Sequence, residues 1–436
     1  MRLILSFFLF VLLSFDAFAS KRYIVMMTKE FSDPIFEMFK DQRANAESQA
    51  KLDSVINQKR TLVEAKLDRY LDSLGIKKDQ FRFSLSSVGF IARLTQRQVD
   101  TLKSDTANVL AVMEDGKVRI NGRPVHQGRP VHQGRPVHQG ESLPIEWNYN
   151  SETRTSCAVD YVGGSESGSG ISRRVWIVDS GVDLDHQDLV GNVDRELGIS
   201  YLNRNPKNLK DKSGHGTHCA GIISATAQPN KDLIGINGVS RGAKIIPIKV
   251  LNRYGVGHWF DIMKALEHIA DNRMEGDIVL MSLGSFIDSA TCLADNPVLY
   301  HTIRNLADFG VQIVMSAGNG EVDKFGNRTG ISRAEKNIPG CISGENIFTV
   351  AALDYSCLHG CTNVAPYSLE GSPALYAMPG TNILSTFRKK KYVTWSGSSF
   401  AAALVAGLLH SVGDIDELEK EQLTVGQDSY LILKKK

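Results

Sequence analysis

The sequence predicts an α/β fold with a mostly parallel central sheet across residues 141–436, preceded by a small α+β domain over residues 20–120. Three observations carry this. Beyond Trp147, short apolar runs of strand length alternate with stretches of helical periodicity, the pattern of a parallel sheet covered by helices on both faces. Residues 20–120 show a different, shorter order of strands and helices. Between the two lies a literal repeat that cannot build a core.

Residues 1–19 stand outside the fold. Met1-Arg2 gives a charged start, Leu3 to Phe15 an apolar run and Ala17-Phe18-Ala19 a small-x-small cleavage site. That is the form of a secretory signal peptide. The apolar run is short for a bilayer span, which needs ~20 residues. No later segment is long and apolar enough to span. The expected location is therefore outside the cytoplasm, extracellular or periplasmic. In residues 20–120, Tyr23 to Met27 reads as a strand, and Leu52 to Leu74 as a helix on Leu52, Val55, Ile56, Leu62, Leu67 and Leu71. Gly75 is a stop. Phe81 to Leu94 alternates like strand, Gln96 to Leu102 is a short helix, and Val109 to Met113 closes the domain.

Gly-Arg-Pro-Val-His-Gln then occurs three times between Gly122 and Gln139. With one proline and one glycine per unit, residues 121–140 read as an extended spacer. Its histidines, His126, His132 and His138, lack the scaffold or thiolates of a zinc site. Gly163 to Gly170 reads as a flexible surface loop. The core strands are Arg174 to Val178, Ile245 to Val250, Ile278 to Ser282, Val311 to Met315 and Ile347 to Ala351. The helices include His218 to Ser224, Trp259 to Asn272 and Pro297 to Phe309.

Three segments bear the chemistry, in the order Asp, His, Ser: Val178-Asp179-Ser180-Gly181, Gly214-His215-Gly216-Thr217-His218 and Gly397-Ser398-Ser399-Phe400-Ala401. A hydroxyl is a poor nucleophile at neutral pH. It needs a base to take its proton and a third group to hold that base in the right tautomer. Asp179 follows a buried run and so sits at the carboxyl end of a strand, where ligands gather in parallel sheets. Ser399 opens a helix of small residues, where the dipole and a backbone N–H favour an oxyanion. Gly238-Val239-Ser240-Arg241-Gly242 also fits a nucleophile elbow. It is followed by a strand rather than a helix, which argues against an esterase centred on Ser240.

These segments, together with Ser316-Ala317-Gly318-Asn319, resemble the subtilisin family of serine peptidases from about Trp176 to Gly407. The resemblance implies the subtilisin-like three-layer fold and a ferredoxin-like propeptide acting as folding chaperone and intramolecular inhibitor. It implies Asp179 as orienting carboxylate, His215 rather than His218 as base, Ser399 rather than Ser396 or Ser398 as nucleophile, and the Asn319 amide as oxyanion donor. Substrate backbone would bind as an added strand between Tyr254-Gly255-Val256 and Ser282-Leu283-Gly284-Ser285, with Ser316, Ala317 and Gly318 lining the pocket for the residue before the cut bond. Glu321 and Asp323 stand near that rim, so no side-chain preference is assigned. A structural calcium ion would take Asp188 and Asp232 as carboxylate ligands. The chemistry itself needs no cofactor.

The family's Pro-His after the serine is replaced here by Ala403-Leu404, which leaves a catalytically inactive secreted binding protein as the alternative. The expected enzyme is a monomeric, self-processing endopeptidase zymogen acting on proteins and peptides. Fifty basic against 48 acidic residues give no reason to expect nucleic acid. All six cysteines follow residue 156. Cys292 and Cys341 flank the Asn319 segment and are paired as a clamp; Cys357 and Cys361 could close a small loop, leaving Cys157 without a partner. The sequence alone does not fix this connectivity. By resemblance, Cys219 is a buried free thiol.

Overall fold

The computed structural model describes residues 20–31, 49–77, 81–84, 87–120, 148–202, 204–228, 235–287, 291–323, 327–357 and 359–436. The signal peptide, the repeat spacer and Asp232 lie outside these residues. Contacts divide the chain into two compact units. One takes Met1–Gly116 with Leu266–Asp271 and Pro297–Thr302; the other takes Lys117–Ala265, Asn272–Asn296 and Ile303–Lys436. Lys117–Ile120 falls in the second unit and pairs with two of its strands.

In the first unit, β1 (Lys21–Met27), α1 (Gln49–Ser73), β2 (Phe81–Phe83), β3 (Gly89–Leu94), α2 (Gln96–Ser104) and β4 (Val109–Glu114) follow in chain order. The sheet order is β2-β3-β1-β4, and every pairing is antiparallel. Val63, Leu67 and Leu71 recur every fourth residue of α1 and are fully buried with Val25 and Phe90. Thr95 starts α2 with a capping box to Gln98.

The second unit opens with β5 (Lys117–Ile120). Its central sheet is built from β6 (Val175–Asp179), β7 (Ile245–Lys249), β9 (Ile278–Met281), β11 (Gln312–Ser316), β13 (Ile347–Ser356) and β15 (Tyr376–Pro379). The short pair Ile199–Ser200 edges it, and the order runs from there through β7, β6, β9, β11 and β13 to β15, all parallel. These strands are runs of Val, Ile and Met buried on both faces, as an interior parallel sheet requires. From β6 the chain goes first to β7 on one side and later to β9 on the other. That reversal leaves a crevice at the carboxyl ends of β6 and β9, and Asp179 is the last residue of β6.

Around the crevice lie β8 (Val256–His258), β10 (Leu283–Phe286) and β12 (Asn337–Ile338). Helices α3 (His215–Ser224), α4 (Trp259–Asn272), α5 (Pro297–Asp308) and α6 (Ser398–Val412) are close to expectation. Helix α3 starts three residues before the expected His218. Gly214 caps it with φ 103°, a conformation open to glycine, and Asp211 accepts the N–H groups of the turn. The hairpin β16 (Ile383–Phe387) and β17 (Lys391–Trp395) leads into α6. A closing hairpin, β18 (Glu419–Val425) and β19 (Asp428–Lys434), adds itself to the sheet through β19 beside β15. The loop Gly163 to Gly170 is held rather than loose: Glu166–Ser167 pairs in parallel with Ser240–Arg241.

The disulfides differ from expectation in part. Cys292 bonds Cys341. Cys357 bonds Cys157, not Cys361. Strand β13 turns back as β14 (Gly360–Val364) with Tyr355 opposite Cys361, which commits Cys361 to the ladder while Cys357 meets the helix at Cys157. Cys361 keeps a free thiol, pushed up to about 12 by burial.

Candidate active site

Asp179 Oδ2 accepts the Nδ1–H of His215 at 2.8 Å, and both residues are buried. The other oxygen accepts the Ser180 N–H at 2.6 Å. This bond fixes the tautomer: the proton is on Nδ1, and Nε2 carries the basic lone pair. Among the described residues Nε2 has no hydrogen-bond partner. Gly216 follows His215, and a Cβ there would lie 2.2 Å from the Gly181 carbonyl oxygen, so the two segments can meet only through glycine.

Ser399 is the second residue of α6, and its Oγ lies 3.5 Å from the Ser282 carbonyl; Ser282 Oγ donates back to the Ser399 carbonyl at 3.1 Å. The ring of Phe400, next in sequence, is 5.6 Å from that of His215. No hydrogen bond joins Ser399 Oγ to His215 Nε2 among the described residues. Such bonds tighten when substrate arrives. Asn319 Oδ1 accepts the Ser398 N–H at 3.1 Å, and Gly318 N–H donates to Ser398 Oγ at 3.3 Å. With its oxygen anchored, the amide nitrogen of Asn319 is the end left beside Gly397 and the start of α6.

Asp211 was not singled out by the sequence reading. It is buried, and its Oδ1 accepts from Ser180 Oγ and from the N–H groups of Ser213 and Gly214; its Oδ2 accepts from Thr217 N–H and Oγ1, at 2.7 to 3.0 Å throughout. Ser180 Oγ in turn accepts the Gly216 N–H at 3.1 Å. One carboxylate thus ties the residue after Asp179 to the first turn of the helix that bears His215. The available signal was an aspartate four residues before the histidine, where a helix start wants an acceptor.

His218 lies beneath, stacked on Trp395, with Nε2–H donating to the carbonyls of Ile383 and Val393. Burial pushes it down to about 3, so it stays neutral. The Cys219 thiol is buried beside Asp179 and His215 and is pushed well up by that burial. Ser240 Oγ and His410 Nδ1 are 2.8 Å apart, but His410 Nε2 is tied to the Arg173 carbonyl and both side chains are fully buried. That pair is structural, and no substrate can reach it.

Of the two residues proposed for calcium, Asp188 is among the described residues. The Asp188 carboxylate accepts the N–H groups of Gln228 and Ile236 and the Tyr392 hydroxyl, so it pins both ends of the loop by itself. Asp232 falls outside the described residues.

The expected substrate strands carry a strand already. β5 runs antiparallel to both β8 and β10: Gly257 faces Val118, Val256 and Gly284 face Arg119, and Leu283 faces Ile120, whose N–H donates to the Gly255 carbonyl at 2.9 Å. Gly255, Leu283 and Gly284 therefore border a peptide in extended form, with Tyr254 and Ser282 next to them in sequence. Ser316, Ala317 and Gly318 continue from β11 toward Ser398.

Residues 170–423 match the subtilase family. The chain belongs to that family. It is 31% identical over 238 residues to an intracellular serine protease of Paenibacillus polymyxa, covering 54% of this chain and 65% of the relative. It is also 31% identical over 247 residues to thermitase of Thermoactinomyces vulgaris, covering 56% and 77%, and 32% identical over 241 residues to a thermostable alkaline protease of Halalkalibacterium halodurans, covering 55% and 56%. The chain thus spans less than two thirds of the length of some of these relatives. A cold-adapted subtilisin-like serine proteinase shares the fold at TM-score 0.51 and 19% identity, over 64% of this chain and 98% of its own.

Proposed function

We propose that this subtilase is a secreted serine endopeptidase, made as a zymogen that cuts its own chain. His215 Nε2 takes the Ser399 proton as Oγ bonds to the substrate carbonyl carbon. The oxyanion is held by the Ser399 N–H and the Asn319 amide. Collapse breaks the C–N bond, the imidazolium returns the proton to the leaving amine, and water repeats the steps on the acyl-enzyme. Besides substrate and water, these steps use groups of this chain. The Asp179–His215 hydrogen bond, and Asn319 bonded to Ser398 beside Ser399, support this reading.

The observation that carries the zymogen reading is β5, a segment of the chain itself bound as a substrate would be. Its pairing has Ile120 opposite Leu283. Ser282, which precedes Leu283 in sequence, has its carbonyl next to Ser399 Oγ. The bond cut first is accordingly Asn121–Gly122, at the head of the repeats. The first unit, with its strand–helix–strand–strand–helix–strand order and all-antiparallel sheet, supports a ferredoxin-like inhibitory propeptide. Two disulfides fit an oxidising compartment. In purified full-length chain, Ser399→Ala should remain uncut while the wild type yields a product beginning at Gly122. Normal maturation of purified Ser399→Ala would overturn self-processing, and a first product starting elsewhere would overturn the register argument.

A further inference from the structure

Asn337 is a polar side chain buried where an apolar one would be expected. It opens β12 opposite Phe286 of β10 and is 2% exposed. Its Nδ2 has no hydrogen-bond partner among the described residues. A buried donor left unpaired costs about 1–3 kcal/mol, so a protein that keeps one gains something from it elsewhere.

Its position says what. A Cβ added at Gly318 would lie 2.8 Å from Asn337 Cγ and 2.9 Å from Nδ2, and one added at Gly340 would lie 3.0 Å from Nδ2. The carboxamide is therefore wedged between Gly318 and Gly340, with Leu369 beside it. Gly318 is the end of the segment that borders the residue preceding the cut bond, and its N–H reaches Ser398, next to the nucleophile. With no side chain at Gly318, the carboxamide of Asn337 takes the place such a side chain would fill.

We propose that Asn337 forms the floor of the pocket for the residue before the cut bond and selects a carboxamide there, asparagine above all. This rests on the peptidase reading. A carboxamide has one donor end and one acceptor end, so a second carboxamide satisfies it whichever way either is turned. Leucine has nearly the same shape but leaves Nδ2 unpaired. Aspartate has the shape too, but it only accepts and carries a charge into surroundings that include Leu369. A site built to hydrogen-bond one polar group rejects the isostere that lacks it far more strongly than an apolar pocket rejects a wrong size. The residue that follows β5 in sequence, before the cut proposed above, is itself an asparagine, Asn121.

The test uses processed enzyme and the substrates Val-Arg-Ile-Xaa-p-nitroanilide, with Xaa as Asn, Leu or Asp. Active enzyme is first counted by fluorophosphonate labelling of Ser399. The expected kcat/KM for Asn exceeds those for Leu and Asp by at least about tenfold. Asn337→Leu should lower the Asn-to-Leu ratio by at least about tenfold. Labelled enzyme that prefers Leu or Asp overturns this inference and leaves the peptidase reading intact. Enzyme that takes no label overturns both.

Discussion

Asp211→Asn isolates the part of the site that holds His215 in place. The wild-type carboxylate receives five donors, three on Oδ1 and two on Oδ2. An asparagine offers one oxygen and replaces the other with an NH2 group, which cannot accept. Whichever way it turns, at least the two donors of Thr217 or the three of Ser180, Ser213 and Gly214 lose their acceptor. Hydrogen bonds to a charged group are worth about 1.5–3 kcal/mol each, so the loss is roughly 3 kcal/mol or more even for the smaller set. The negative charge at the start of α3 is lost as well. For a domain of this size that is a fall in melting temperature of about 6 °C or more. If as little as ~1.4 kcal/mol of it reaches the Asp179–His215 geometry, Ser399 acylation slows tenfold. Melting would be measured in a Ser399→Ala background, where self-digestion is absent, and acylation by fluorophosphonate in the active one. A melting temperature within about 2 °C of the parent, with an acylation rate within about twofold, would refute the reasoning.

Asn319→Leu should cut kcat by about 10²–10³ with little change in KM, because its amide acts on the oxyanion and not on bound substrate; steady-state kinetics on a peptide substrate would show this, and a loss confined to KM would contradict it. Acid should unfold the protein through its buried histidines. His218 and His410 are held down to about 3 and about 4 by burial, against about 6.5 in the unfolded chain. The unfolded state therefore binds protons first as pH falls. Stability is full above about 6.5 and is lost toward the folded values, by up to about 1.4 kcal/mol per pH unit for each histidine. Denaturant titrations between pH 7 and pH 4 on Ser399→Ala check this, and a flat profile over that range would disprove it.

The core strands could be read from sequence to within a few residues because they are buried runs of branched apolar residues, a signal that needs no neighbours. Asp179, His215, Ser399 and Asn319 stand out in the sequence through the four motifs that together resemble the subtilisin family, not through any one segment alone. What escaped depends on partners distant in the chain. Cys157 finds Cys357 across 200 residues, while the nearer Cys361 is turned into a strand pairing. Lys117–Ile120 carries no local sign that its partners are β8 and β10. Asp211 looks like any turn aspartate until five donors converge on it. Asn337 looks like a loop residue until its burial and its unpaired amide are seen together. Asp188 likewise meets two backbone N–H groups and the Tyr392 hydroxyl, and nothing near it in sequence announces Tyr392.

The most direct measurement is to treat the processed protein with a fluorophosphonate, digest it, and find the modified side chain by mass. One covalent adduct on the hydroxyl of Ser399, abolished by His215→Ala, is the expected result. An unmodified Ser399 in folded, processed protein would contradict the catalytic assignment on which every later step depends.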